Sequence, residues 1–173
     1  MKRLIAALAL SLAPLSHTVQ AAETQTIAYP TAEEASFLIT APENWKITPA
    51  EQAGDFFQLE GPTGAIFSFR TIEGTEKSLD AAIKESVKEL NERFDDMQLG
   101  DAEDWKPHGL TGLYAVGTGK IKGEDTAVKV GVGWCALEDG KIAEMWFVAE
   151  DSDTKGIKQA EDIANSMSAP AQE

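Results

Sequence analysis

The chain has 173 residues, a formal net charge of −14, one cysteine and two histidines. That length suits one domain with an ordinary core, and a single cysteine excludes an internal disulfide. So few cysteines and histidines also remove most zinc sites and most thiol- or histidine-centred catalytic sets.

Met1-Lys2-Arg3 precedes an apolar run from Leu4 to Leu15, broken only by Ser11 and Pro14. Val19 and Ala21 then supply the small residues expected at −3 and −1 of a secretory leader, which places cleavage after Ala21, with Ala22 the near alternative. The run is too short to span a bilayer, which takes about 20 apolar residues. No cysteine lies near the cut to carry a lipid. Residues 1–21 are therefore expected to be a cleaved signal peptide and the protein periplasmic or secreted, without membrane insertion. Losing Lys2 and Arg3 takes the net charge to −16, and His17 leaves as well, so His108 is the remaining histidine. With no basic cluster the mature chain is not expected to bind nucleic acid or an anionic membrane surface. Cationic peptides, divalent ions or a basic protein face are the partners this charge admits.

Residues 22–35 are polar with scattered small residues and read as a flexible lead-in. Phe37 and Ile39 begin a strand over 36–41, Pro42-Glu43-Asn44 makes a turn, and Trp45-Lys46-Ile47 resumes an extended run. Phe56 to Leu59 and Ala65 to Ile72, joined through Gly61-Pro62-Thr63-Gly64, read as a hairpin. In its second arm Phe67 and Phe69 share a face with Ala65 and Thr71, while Arg70 joins Ile66, Ser68 and Ile72 on the other. Leu79, Ile83, Val87, Leu90 and Phe94 then recur at helical spacing, and Ser78 is the expected N-cap. Residues 95–108 read as irregular and acidic. Extended runs from Leu110 to Lys122, Asp125 to Leu137 and Ile142 to Val148, with a turn at Asp139-Gly140, predict an antiparallel meander. Gly131 and Gly133 in its middle strand predict a bulge or a close approach by another element. Asp151-Ser152-Asp153 caps a final helix to about Met167, and 169–173 read as a frayed tail.

Strands, a long helix, a meander and a closing helix describe an α+β fold, an antiparallel sheet with helices packed on it. The opening Phe37-Leu38-Ile39-Thr40-Ala41-Pro42-Glu43-Asn44-Trp45 resembles that of the PsbP-like superfamily, which includes the PsbP extrinsic proteins, the Mog-type import factors and the DcrB-like envelope proteins. The helix from Ser78-Leu79, the turn-rich Gly109-Leu110-Thr111-Gly112, the meander and the ending Ile163-Ala164-Asn165-Ser166-Met167 agree in layout over about residues 36–168. Asn44 stands where these proteins usually place glycine, and Asn accepts the same backbone. The resemblance implies one domain over 36–168, built as a six- or seven-stranded antiparallel sheet between helices. It also implies a module that docks on larger assemblies or clients. The family has no shared catalytic site, so no residue role carries over.

Cys135 lies mid-strand and reads as core, leaving a thiol enzyme built on Cys135 and His108, or another unrecognised hydrolase, as a minor alternative. No phosphate loop and no Gly-x-Ser-x-Gly elbow is present. No cofactor is expected. Any metal would sit among carboxylates, with calcium the ion they favour. The acidic groups are Asp95-Asp96, Asp101 with Glu103 and Asp104, and Glu150-Asp151 with Asp153; Asp101, Glu103 and Asp104 are the metal candidates. Of the four tryptophans, Trp45, Trp134 and Trp146 read as core, whereas Trp105, beside Lys106 and His108, reads as an exposed anchor. The leading expectation is an exported, non-catalytic envelope module that docks on a protein partner through Trp105, Lys106 and His108 or through the sheet face. A carboxylate-based calcium or cation binder is the second reading.

Overall fold

Among the described residues, alternating apolar and polar residues set ten strands, around which two helices pack. The computed structural model describes residues 23–52 and 54–171. In chain order come β1 (Thr24–Tyr29), β2 (Phe37–Pro42), β3 (Lys46–Thr48), β4 (Phe57–Glu60) and β5 (Ile66–Glu73), then α1 (Glu76–Arg93). They are followed by β6 (Phe94–Leu99), β7 (Glu103–Trp105), a 3-10 turn (Pro107–Gly109), β8 (Thr111–Ile121), β9 (Ala127–Ala136), β10 (Lys141–Glu150) and α2 (Thr154–Asn165). The leader reading for residues 1–21 falls outside the described residues, as do the last two residues of the tail.

The main sheet runs β3-β4-β5-β10-β9-β8-β6, with β7 also pairing on β8. All its pairings are antiparallel. The fold is α+β as expected, but the sheet has eight strands rather than six or seven, because the stretch read as irregular supplies β6 and β7. There the chain hides its period. Phe94 and Met97 are three apart, and the register shifts between Asp95 and Gln98, where Asp96 takes a positive φ of 53°. A bulge of this kind breaks the alternation by which a strand is recognised.

The lead-in needs a second correction. Residues 24–29 form β1, which pairs with β2 as a separate two-stranded sheet, setting Ile27 against Ile39 and Tyr29 against Phe37. Tyr29 is buried against the Phe37 and Phe69 rings, so this segment holds core residues within polar sequence. The chain at and just after the end of α2 is tied to β2. Leu38 and Ser168 exchange backbone hydrogen bonds of 2.9 and 3.0 Å, and Ser166 Oγ accepts from Thr40 N at 2.8 Å.

Helix α1 is capped three residues before the expected position. Thr75 Oγ1 accepts from Ser78 N at 3.1 Å, so Thr75 is the N-cap and Ser78 lies in the first turn. Its stripe, with Ala82 and Leu90 buried, packs with Val128, Val130, Val132 and Trp134 on one face of the sheet. On the other face α2 and the β1–β2 pair cover Phe67, Phe69, Met145 and Phe147. The two faces of β5 divide as its alternation predicts. Full burial of a phenylalanine such as Phe37 or Phe69 contributes about 1.5–3 kcal/mol. Among the described residues no helix is long and apolar enough to cross a membrane.

Candidate binding groove

The β8–β10 meander sends alternate residues to each face. Toward α2 these are Tyr114 and Val116 of β8, Gly131 and Gly133 of β9, and Met145 and Phe147 of β10. Helix α2 covers only part of this surface, and β7 rises at the far side. Between them lies a groove of about 660 Å³. The last turns of α2, with Glu161, Ala164 and Asn165, form one wall. The segment from Gly100 to Lys106 forms the other.

The glycines make this floor. A Cβ on Gly131 would lie 2.1 Å from Phe147 Cε1, so the Phe147 ring occupies the place of a side chain. Pairing of β9 with β8 and β10 is continuous through both glycines. The expected close approach is therefore the correct alternative, and no bulge is needed. At Gly112, a Cβ would sit 3.1 Å from Trp105 Cε3, and at Gly133 3.6 Å from Trp105 Cζ3. The Trp105 ring thus rests on strand positions that lack side chains.

Trp105 is consequently not the exposed anchor expected. It is only 8% exposed, and its Nε1 donates to Asn165 Oδ1 at 2.9 Å. That bond ties β7 to the end of α2 and closes one end of the groove. A tryptophan in acidic, irregular-looking sequence reads as exposed because the strand beneath it is not recognised. Trp45, Trp134 and Trp146 are buried, as expected.

The polar rim is mostly acidic. Glu103 Oε2 accepts from Tyr114 OH at 2.8 Å, and that bond with the carboxylate's charge holds the phenol above its usual pKa. Lys129 Nζ reaches Glu161 Oε1 at 3.4 Å from floor to wall. Asp101, Asp104 and Lys106 complete the rim, all exposed. Five of the six residues singled out from the sequence, Asp101, Glu103, Asp104, Trp105 and Lys106, therefore meet at one groove. The sixth, His108, is exposed in the 3-10 turn with φ 44° and does not line it.

Asp101, Glu103 and Asp104 are not gathered as ligands. Among the described residues no group of three or more His, Cys, Asp or Glu side chains is placed to hold a metal ion. The physical reason is local: successive residues of β7 point to opposite faces, and Glu103 turns to Tyr114. Cys135 is fully buried, and burial pushes its thiol up to about 11. A protonated thiol is a poor nucleophile, in keeping with the core reading.

A second cluster escapes sequence reading. Glu144 lies in the otherwise apolar centre of β10, directly opposite Arg70 on β5, and is 0% exposed. Its Oε2 accepts from Arg70 Nε at 2.7 Å, and its Oε1 accepts from Ser86 Oγ of α1 at 2.7 Å and Trp146 Nε1 at 3.5 Å. Arg70 also pairs with Glu85 at 3.2 Å and lies 4.4 Å from the Phe56 ring centroid. Burial disfavours charge on Arg70, but the hydrogen bonds and charges of Glu144 and Glu85 outweigh it and raise the guanidinium further. With its oxygens engaged, Glu144 is a buried ionic tie between sheet and helix. A glutamate between Ala143 and Met145 was the available signal.

No protein-family profile and no curated protein matches the chain. Solved structures do. The solution structure of cyanobacterial PsbP (CyanoP) from Synechocystis sp. PCC 6803 superposes with a TM-score of 0.59 at 14% identity, covering 88% of this chain and 96% of that one. The fold is PsbP-like. The crystal structure of LpqN from Mycobacterium tuberculosis, described as involved in cell envelope biogenesis, agrees at a TM-score of 0.56 and 12% identity, covering 86% and 91%. At these identities the likeness is one of fold, and the groove of this PsbP-like chain is read from its own residues.

Proposed function

We propose that this PsbP-like protein is an exported, non-catalytic module of the cell envelope that holds a basic segment of a protein partner in the groove between α2 and β7. The groove itself carries the reading: a cavity of about 660 Å³ with an apolar floor and acids on both walls. Its size falls within the roughly 300–1,000 Å³ of ordinary ligand pockets. The rim carboxylates of Asp101, Glu103 and Glu161 are set against two lysines, Lys106 and Lys129. With the mature charge of −16 behind them, they favour a cationic partner and would speed its approach. A buried, protonated Cys135 and the lack of gathered metal-type ligands among the described residues support a binding role over catalysis. The expected leader and the involvement of LpqN in cell envelope biogenesis support the location.

The test places a photo-crosslinking residue at Val116, on the groove floor, or at Lys84, on the exposed face of α1, in the producing cells. A basic partner segment cross-linked from Val116 and not from Lys84 is the expected result. Equal cross-linking from both positions, or a partner segment without basic residues, would refute the reading.

A further inference from the structure

We infer that the floor of this groove is a specificity pocket for one apolar side chain of the bound segment, flanked on that segment by lysine or arginine. The inference rests on the groove being the binding site and adds what the site selects. Its physical basis is the composition of the floor. At Gly133 the middle strand contributes only backbone, so the surface sinks between Tyr114 on one side and Met145 on the other. The Phe147 ring fills the space over Gly131, and Trp105 and Met145 border Gly133 at 3.6 and 3.5 Å from its Cβ position. What remains is a depression walled by aromatic and thioether groups, which favours an aliphatic or aromatic side chain over a polar one.

Charge then decides the surroundings of that side chain. Asp101 and Glu103 stand on the β7 wall and Glu161 on the α2 wall, so a segment lying across the depression meets carboxylates before and after its apolar residue. A lipid acyl chain would suit the floor equally well. An anionic headgroup at its end would face these carboxylates, and the rim therefore favours a cationic peptide.

The experiment uses the secreted protein and three synthetic peptides, Lys-Lys-X-Lys-Lys with X as Gly, Leu or Trp, with binding followed by calorimetry. We expect the Leu and Trp peptides to bind about tenfold more tightly than the Gly peptide, the usual scale for filling an apolar pocket. Val116→Trp, on the partly exposed floor, should remove that advantage, bringing the Leu and Trp peptides down to the affinity of the Gly peptide. Gly133→Ala is the milder second variant. Its Cβ would meet nothing closer than 3.4 Å, so the fold tolerates it while the depression becomes shallower. It should reduce the advantage severalfold. Asp101→Lys should weaken all three peptides severalfold, as rim charges do.

Peptides that bind equally well whatever X is, in wild type and Val116→Trp alike, would overturn the specificity pocket while leaving the basic-segment reading intact. Binding of none of the peptides would overturn both. If an uncharged acyl probe such as monodecanoylglycerol then binds, the groove is a lipid site.

Discussion

Replacing Arg70 by methionine would leave Glu144 buried with its negative charge and without its cation. The lost interactions are the 2.7 Å bond from Arg70 Nε to Glu144, the exposed pair to Glu85, a long 3.5 Å bond to the Gly54 carbonyl and the contact with the Phe56 ring. Glu144 would keep Ser86 Oγ at 2.7 Å and the long 3.5 Å bond from Trp146. Removing one partner of a buried ion pair costs about 3–5 kcal/mol. Arg70 retains some solvent contact, with 18% of its side chain exposed, so the low end applies, about 3 kcal/mol. For a domain of this size that lowers Tm by about 6–12 °C. Urea titrations of both proteins at pH 7 provide the assay. The double variant Arg70→Met, Glu144→Leu should recover most of the loss, since an apolar pair of similar volume removes the stranded charge. A deficit below about 1 kcal/mol at pH 7, or a double variant no more stable than Arg70→Met alone, would refute an ionic tie between sheet and α1.

Three further outcomes are expected. Thr75→Ala should cost about 1 kcal/mol, as loss of an N-cap does, whereas Ser78→Ala should cost clearly less; denaturant melts decide, and the reverse order would restore Ser78 as the cap. Cys135 should resist thiol reagents at neutral pH until the protein unfolds. Its folded pKa of about 11 exceeds the ordinary value of 9.0, so the native state holds its proton longer, and stability should fall as pH rises from about 9 to 11. Cys135→Ala should flatten that alkaline limb, and rapid labelling of the native protein would contradict the burial. Calorimetry with millimolar calcium should show no saturable binding, and a saturable isotherm weakened by Asp101→Asn would reinstate the carboxylate site.

The parts of the fold legible in the sequence are those where one face is clearly apolar. The β8–β10 meander, the two helices and the division of β5 into a Phe67–Phe69 face and an Arg70 face all follow from side-chain period. Gly131 and Gly133 correctly pointed to a close approach, but the ring filling the space comes from Phe147 on the next strand and cannot be named from local pattern. Strand β1 was missed because Gln25, Ile27 and Tyr29 alternate within polar neighbours, and their burial depends on pairing with β2. Strands β6 and β7 were missed because a bulge at Asp96 interrupts the period. That omission led directly to the wrong exposure for Trp105. The Arg70–Glu144 tie was invisible for another reason: its register pairs residues 74 positions apart.

The two faces of the sheet differ in how they draw on the chain. The α1-side core takes all its members from the continuous stretch between Phe56 and Val148. The α2-side core reaches from Ile27 to Ala169, and its edge is fastened where Thr40 meets Ser166, a separation of 126 residues. Synthesis runs from the N-terminus, so the α1 half can close while the chain is still being extended. Tyr29, Phe37 and Ile39, made early, must wait for the final helix before their face is covered. A chain cut short before α2 would leave that aromatic face uncovered.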